Sequence, residues 1–326
     1  MKRRIHAKGF VLASFLSLGV VLAIGPVDAQ ILSLYDAGRY GDAWNLIQAR
    51  LPEAAEWAAY HTANALPPLQ LDKTRSRSQG FKLACGYRQA NPEAYAYCLY
   101  GLAFPTPQIT DWVKAGELPS FSQEQIRREL ESLADKGSSL ATYFLGRGEF
   151  AGWFGYKPNP ERGAKRMEEV ARTSPDTLGG RLAMGALSLT YYWRIRGVQI
   201  NPSLAVLYAR RAGSTSAFGA GVLAYLEYWG REGVERNPSA ACNRANFWAI
   251  RVPEAVSLYV LGLCYWEGAG GFPKDPVEAY GLIWSSVQMG GDGIPEIAKA
   301  LDVLERSLTP NQKKEGRERA QAKYLP

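Results

Sequence analysis

A turn signal recurs four times in the second half of the chain. An Asn-Pro or Asp-Pro pair stands at residues 159–160, 201–202, 237–238 and 275–276, so the prolines follow one another at intervals of 42, 36 and 38 residues. A glycine lies five residues before each proline: Gly155, Gly197, Gly233 and Gly271. Internal repetition at this period is typical of stacked supersecondary units. The spacing therefore predicts a repeat architecture before any single residue is weighed.

Each repeat is predicted to contain two helices joined by a capped turn. An Asn or Asp side chain satisfies free N–H groups at the start of a helix, and proline suits the first helical position because its missing N–H has no partner there. The preceding glycine is expected to end the first helix, where a positive φ is needed.

Small residues support the same interpretation. They recur fourteen residues before the proline (Gly146, Ala224, Gly262, with Gly185 as the nearest match in the second repeat) and three residues after it (Gly163, Ala205, Ala241, Ala279). Small residues at fixed positions let two helices approach closely. No segment shows the period-2 alternation of a strand. The sequence thus predicts an all-α fold, an α-solenoid of stacked helical hairpins.

The repeat resembles the Sel1-like repeat, a relative of the tetratricopeptide repeat. The best match comprises Leu261-Gly262, Tyr265, Gly268, Gly271-Phe272, Asp275-Pro276, Ala279, Trp284 and Gly290-Gly291. The resemblance extends over residues 138–291 and implies a superhelix of hairpins. Residues 30–137 are predicted to form degenerate hairpins of the same kind, interrupted at 66–80 and 104–121. Residues 292–326 are predicted to be C-terminal capping helices.

The first 29 residues are predicted to be an export signal. Four basic residues precede the apolar run 9–25, and Val27-Asp28-Ala29 places small residues at the −3 and −1 positions of a cleavage site before Gln30. The alternative is an uncleaved anchor, but seventeen residues are marginal for spanning a bilayer. We therefore predict a periplasmic or secreted protein with no stable membrane anchor.

The four cysteines, Cys85, Cys98, Cys242 and Cys264, all follow the predicted signal. An even number in an oxidising compartment favours two disulfides, and the pairs close in sequence, Cys85–Cys98 and Cys242–Cys264, are the expected ones. The alternative is four buried free thiols, since unpaired cysteine is also a common core residue.

Charge argues against a nucleic-acid partner. The formal net charge is +7, and it becomes +4 when residues 1–29 are left out. The basic residues are scattered rather than clustered on one face, so no nucleic-acid partner is predicted.

Catalytic motifs are missing from the sequence. His61 is the single histidine beyond the predicted signal, and no Gly-x-Ser-x-Gly, Cys-x-x-Cys or His-Glu-x-x-His motif accompanies it. Carboxylate pairs such as Glu168-Glu169, or Asp292 with Glu296, are candidates for acid–base chemistry, but glutamate-rich helix surfaces are common. We therefore predict no enzyme activity, no catalytic residue, no metal site and no cofactor.

Aromatic residues offer a candidate binding surface. Four residues after the small residue of the first helix stand Phe150, Tyr228 and Trp266. If the first helices line a concave face, these rings form a ladder that contacts a peptide or a sugar. The alternative is that they fill the gaps between hairpins.

The resemblance to Sel1-like repeats implies a scaffold for protein–protein interaction, here in envelope regulation or assembly. The alternative function is a protein that binds or cleaves cell-wall or exopolysaccharide glycans. Exposed aromatics beside paired carboxylates are expected for the glycan function, and a groove of mixed polar residues for a protein partner.

Overall fold

The chain is all-helical in the computed structural model, which describes residues 26–69 and 73–324. Two short 3-10 helices cover Ile195–Gly197 and Gly291–Gly293. The α-helices are α1 (Pro26–Asp36), α2 (Tyr40–Ala49), α3 (Ala55–Ala63), α4 (Lys73–Gly86), α5 (Pro92–Ala103), α6 (Pro107–Lys114), α7 (Gln123–Asp135), α8 (Ser139–Ala151), α9 (Pro160–Thr173), α10 (Leu178–Trp193), α11 (Pro202–Ala212), α12 (Ala217–Trp229), α13 (Pro238–Arg251), α14 (Ala255–Glu267), α15 (Pro276–Gln288), α16 (Pro295–Ser307) and α17 (Pro310–Lys323). The predicted fold class is confirmed.

Four consecutive hairpins form the repeats: α8–α9, α10–α11, α12–α13 and α14–α15. The second helix of each begins with the predicted proline, and the residue before it is an N-cap whose side chain accepts a backbone N–H bond. These caps are Asn159, Asn201, Asn237 and Asp275. The prolines and their caps therefore mark the helix starts as predicted.

The end of each first helix differs from the prediction. The C-cap lies eight residues before the proline, not five, and it is left-handed in all four hairpins: Gly152, Arg194, Gly230 and Gly268. The predicted glycines also have positive φ, but they lie inside the connecting loop. The loop needs further left-handed residues to reverse direction, as Glu232 (φ 52°) and Gly233 (φ 70°) show.

The first helices form one layer of the array. Consecutive first helices (α8, α10, α12, α14) pack on one another, and each second helix packs on its own first helix and on the first helix of the next hairpin. The second helices therefore cover one side of the first-helix layer. We call the opposite side of that layer, which the second helices do not cover, the inner face.

The close helix approach depends on glycine. A Cβ atom on Gly163 of α9 would lie 2.5 Å from the carbonyl oxygen of Gly146 in α8 and 2.5 Å from the amide nitrogen of Phe150. Real Cβ contacts are essentially never this short, and backbone atoms cannot move aside like the end of a side chain.

We predict that Gly163→Ala lowers the free energy of unfolding by about 2 kcal/mol, the scale of overpacking in a core. Gly41→Ala in α2 is the matched control, because a Cβ there meets nothing within 4 Å. That control is expected to be neutral or slightly stabilising. Urea unfolding of both variants checks the prediction, and equal midpoints for the two would contradict it.

Both expected disulfides are present. Cys85–Cys98 joins α4 to α5 with Cα atoms 4.8 Å apart, and Cys242–Cys264 joins α13 to α14 with Cα atoms 6.0 Å apart. The second bridge therefore connects the third hairpin to the fourth.

The N-terminal helices return to the middle of the array. The Tyr40 hydroxyl donates a hydrogen bond to the Ser214 carbonyl at 2.9 Å, and the Tyr60 hydroxyl donates to the carbonyl of Thr215. Both acceptors lie in the loop between α11 and α12.

The predicted irregular stretch 104–121 contains a helix that the sequence did not indicate, α6.

The start of α1 overlaps the predicted cleavage site. Residues 1–25 lie outside the described residues, but Val27 is buried and Asp28 accepts a hydrogen bond from Trp57 Nε1 at 2.5 Å. Cleavage before Gln30 removes both residues from the fold. No helix in the described ranges is both long enough and apolar enough to cross a bilayer.

The last two helices follow different paths. Helix α17 packs on α15, where Gly281 and Gly316 meet, and Arg319 pairs with Asp275 at 3.0 Å. Helix α16 buries only Ile297 and Leu304 of its own residues, and Ile294 just before it is also buried. The contacts of α16 extend across the inner face.

Candidate functional site on the inner face

The three aromatics predicted to bind a partner do not form an exposed ladder. Phe150 and Tyr228 are buried, and the Tyr228 hydroxyl donates to Glu267 at 2.7 Å. Trp266 is half-buried against the second core cluster. Phe150 and Tyr228 thus follow the alternative interpretation, in which the rings fill gaps between helices.

The periodicity of the helix explains this outcome. Residues i and i+4 share a helix face, so Phe150 lies on the same face as Gly146. That face is the one turned toward α9, because Gly146 is packed against Met167 and Gly163. A ring at this register therefore points at the second helix of its own hairpin and not at the inner face.

A different set of aromatic residues lies on the inner face. Trp193 at the end of α10 packs edge-on against Tyr192 and against Tyr225 of α12, with ring centroids 4.5 and 5.0 Å apart. Tyr225 also approaches Tyr259 of α14 at 6.3 Å. Three consecutive first helices therefore contribute to one aromatic cluster.

A carboxylate from α16 connects this cluster. Glu296 accepts hydrogen bonds from Trp193 Nε1 at 3.2 Å and from the Tyr225 hydroxyl at 3.0 Å. Its Oε1 lies 3.6 Å from Nη1 of Arg231, whose guanidinium also covers the Tyr225 ring at 5.2 Å. We call Tyr192, Trp193, Tyr225, Arg231 and Glu296 the Glu296 hub.

The hub has a defined chemical state. Burial raises the pKa of Tyr225 well above its ordinary value, and the charge of Glu296 raises it further. Tyr225 is therefore a neutral hydrogen-bond donor at any physiological pH. The hub holds α16 across α10 and α12. Its rings contact one another, with Tyr225 fully buried and Tyr192 and Trp193 partly exposed.

An arginine of the first hairpin reaches an aromatic ring of the third hairpin. The Arg147 guanidinium of α8 lies 5.2 Å from the ring centres of both Trp153 and Phe218. Phe218 belongs to α12, so this side chain spans the width of α10. Cation–π contact of this kind stabilises a charge that is partly removed from water.

The remaining candidates for chemistry are separated from one another. His61 is buried, receives a hydrogen bond from the Tyr35 hydroxyl at 2.8 Å on Nδ1 and donates from Nε2 to the Pro67 carbonyl at 2.9 Å. Glu168 and Glu169 border a shallow cavity on the second helices α9 and α11. Among residues 26–69 and 73–324, no three His, Cys, Asp or Glu residues are grouped as a metal site would require.

Comparison with known proteins gives structural matches only. No protein-family model matches the sequence, and no curated protein matches it. A protective antigen from uropathogenic Escherichia coli that displays an SLR fold is similar over 92% of this chain and 69% of its own, with 15% identity and a TM-score of 0.40.

A Sel1 repeat protein from Oxalobacter formigenes is similar over 90% of this chain and 96% of its own, with 18% identity and a TM-score of 0.44. Both descriptions name the repeat that the sequence resembles. The likeness concerns the helical repeat fold, and what this chain binds has to be argued from its own residues.

The sequence contained only a weak signal for the hub. From the sequence, Glu296 pairs with Asp292 as a candidate for acid–base chemistry, but Asp292 is exposed. The actual partners of Glu296 stand 103 and 71 residues earlier in the chain. No local pattern encodes a contact at that separation.

Proposed function

We propose that this chain is an exported scaffold that binds a protein partner in the bacterial envelope. The observation that carries the proposal is the array of four stacked hairpins, which presents an extended surface and a rim of connecting loops beside the Glu296 hub. Repeat arrays of this shape offer an extended surface without any catalytic group. Two disulfides support an oxidising destination.

Trp229 is an exposed aromatic side chain on this side of the array that a partner could contact. It lies four residues after Tyr225 on the same face of α12, and it is 38% exposed. Arg231, also exposed, lies beside it with its guanidinium 6.0 Å from the ring centre. An exposed tryptophan next to an arginine has the composition of an interface hot spot.

The glycan alternative receives less support from these residues. Tyr225 is fully buried, and the partly exposed Trp193 already packs against Tyr192 and Tyr225 and donates to Glu296. A glycan site needs a free ring face beside its carboxylates.

Site-specific photo-crosslinking in the bacterial envelope tests the proposal. We expect a photoreactive phenylalanine analogue at position 229 to give a discrete protein adduct in the periplasmic or secreted fraction. The same analogue at Lys165, an exposed position on the outer helix α9, serves as the control and is expected to give none.

Purified protein from that fraction is expected to begin at Gln30 and to contain no reactive thiol. Retention of the full-length chain in the membrane would contradict the export assignment. Binding to isolated cell-wall glycan, without any protein adduct at position 229, would favour the alternative function.

A further inference from the structure

A second surface of the array carries an unusual concentration of arginine. A cavity of about 430 Å³ opens where the end of α1 meets the second and third hairpins. It is lined by Asp36, Arg181, Leu207, Arg210, Arg211, Gly213, Ser214, Leu223 and Arg244. Four guanidinium groups thus surround a space of the size of a ligand pocket, with one carboxylate among them.

Two of the four arginines are already neutralised within the chain. Arg244 makes a two-point contact with Glu227 at 3.1 and 3.0 Å. Arg181 pairs with Asp36 at 3.3 Å and with Asp176 at 3.5 Å. These ion pairs hold Arg244 and Arg181 in place at the wall of the cavity. The unpaired positive charge at the cavity therefore comes from the other two arginines.

Arg210 and Arg211 carry the uncompensated charge. They occupy the last turn of α11, and both are exposed. No carboxylate of the described residues lies within ion-pair distance of either guanidinium, and Arg210 makes a long hydrogen bond of 3.5 Å to the Gly233 carbonyl. Two positive charges therefore stand free beside the cavity.

Arg181 adds a buried donor to the same wall. Its side chain is only 10% exposed, it donates to the Arg211 carbonyl, and its Nε has no hydrogen-bond partner within the described chain. A buried N–H group without a partner is costly. That nitrogen is buried, however, so the charged groups open to a ligand are those of the exposed Arg210 and Arg211.

The other lining groups indicate what kind of anion fits. Leu207 is 44% exposed at the cavity, and Leu223 lies deeper in it. Asp36 accepts hydrogen bonds from Ser214 and Arg181 and still exposes nearly half of its side chain. A ligand must therefore bring a carboxylate, an apolar group and an N–H donor, whereas a phosphate dianion has neither of the last two.

We propose that this arginine cavity binds an acidic peptide segment of a partner protein, one in which a Glu or Asp stands beside an apolar residue. Arginine pairs with a carboxylate through two parallel N–H bonds, which a planar carboxylate matches. The leucines contact the apolar side chain, and the peptide N–H faces Asp36. The inference rests on the proposed scaffold function and assigns a second contact to it.

Titration calorimetry with a defined probe tests the inference. The probe is an acetylated and amidated peptide of alternating glutamate and leucine, and the comparison peptide has glutamine in place of each glutamate. We expect the acidic peptide to bind the full chain with an affinity that falls as salt is added. The glutamine peptide is expected not to bind.

The double variant Arg210→Gln with Arg211→Gln is expected to weaken binding by roughly tenfold or more. Its melting temperature should equal that of the parent, because neither side chain makes an ion pair. The double variant Arg128→Gln with Lys165→Gln removes the same charge from distant exposed positions and is expected to bind the peptide normally.

Three results overturn the inference: equal binding of both peptides, unchanged affinity in the Arg210 and Arg211 variant, or binding of inorganic phosphate in place of the peptide. The crosslink at position 229 separates this outcome from the scaffold proposal. If the adduct forms while the peptide fails to bind, the cavity assignment is wrong and the scaffold stands. If the peptide binds but no protein adduct forms at position 229, the contact proposed on the inner face is wrong.

Discussion

Between pH 7.5 and pH 4, His61 is expected to lower the stability of the folded protein by about 3 kcal/mol. The His61→Gln variant is expected to lack this contribution. Burial lowers the pKa of His61 from 6.5 to about 4. In the unfolded chain the imidazole binds a proton near pH 6.5, while in the folded chain it stays neutral down to about pH 4. The unfolded state therefore binds more protons in this window, and stability falls as the pH falls.

The hydrogen bonds of His61 explain why the neutral form is preferred. The Pro67 carbonyl can only accept, so Nε2 carries the proton and Nδ1 receives the Tyr35 hydroxyl. Protonation places a second N–H against that hydroxyl, which is itself fully buried. The difference of about 2.5 pKa units converts to about 3 kcal/mol.

The measurement is the difference in unfolding free energy between the two proteins at each pH. Other buried groups titrate in the opposite sense, since burial raises the pKa of Glu254 to about 7 and also raises the pKa of Glu93. Stability that these carboxylates lose as the pH rises is common to both proteins and cancels in the difference. A difference that stays constant from pH 7.5 to pH 4 would contradict the prediction.

Loss of the Cys242–Cys264 bridge is expected to lower the free energy of unfolding by about 3 kcal/mol. The bridge closes a segment of 22 residues, and in the chain-entropy model such a cross-link restricts the unfolded chain by about that amount. It also joins α13 to α14, so its loss weakens the contact between the third and fourth hairpins.

Two comparisons separate the cross-link from the packing of the sulfur atoms. Unfolding of the parent with and without reductant gives the effect of the covalent bond on both bridges. Unfolding of the double variant Cys242→Ala with Cys264→Ala in reductant, against the parent in reductant, gives the effect of the missing side-chain atoms. Equal denaturant midpoints for the oxidised and reduced parent would falsify the prediction.

The sequence predicted those features of the fold that depend on neighbouring residues. An Asn-Pro pair is a helix start in itself, so the four second helices began where the pattern indicated. The end of the first helix was displaced by three residues, because both Gly230 and Gly233 adopt positive φ and the sequence does not say which one ends the helix.

The candidate site could not be predicted in the same way. Placing Phe150 on a helix was correct, but the direction of its ring depends on which face α9 covers. Glu296 and Trp193 meet only because α16 crosses the array, and the pattern of neither helix indicates that crossing. The cysteine pairs were recoverable because each bridge closes a short segment between helices that follow one another.

The hydrogen bonds that Tyr40 and Tyr60 make to the loop between α11 and α12 affect how the molecule unfolds. In an array where each hairpin touches only its neighbours, the terminal hairpins fray first and unfolding spreads inward. Here helices α2 and α3, near the start of the described chain, are hydrogen-bonded to its middle, 174 and 155 residues away. Fraying of the N-terminal helices therefore requires breaking central contacts, so the part of the array from α2 to α12 should unfold as one cooperative unit. Hairpins cannot be inserted between these attachment points without separating them.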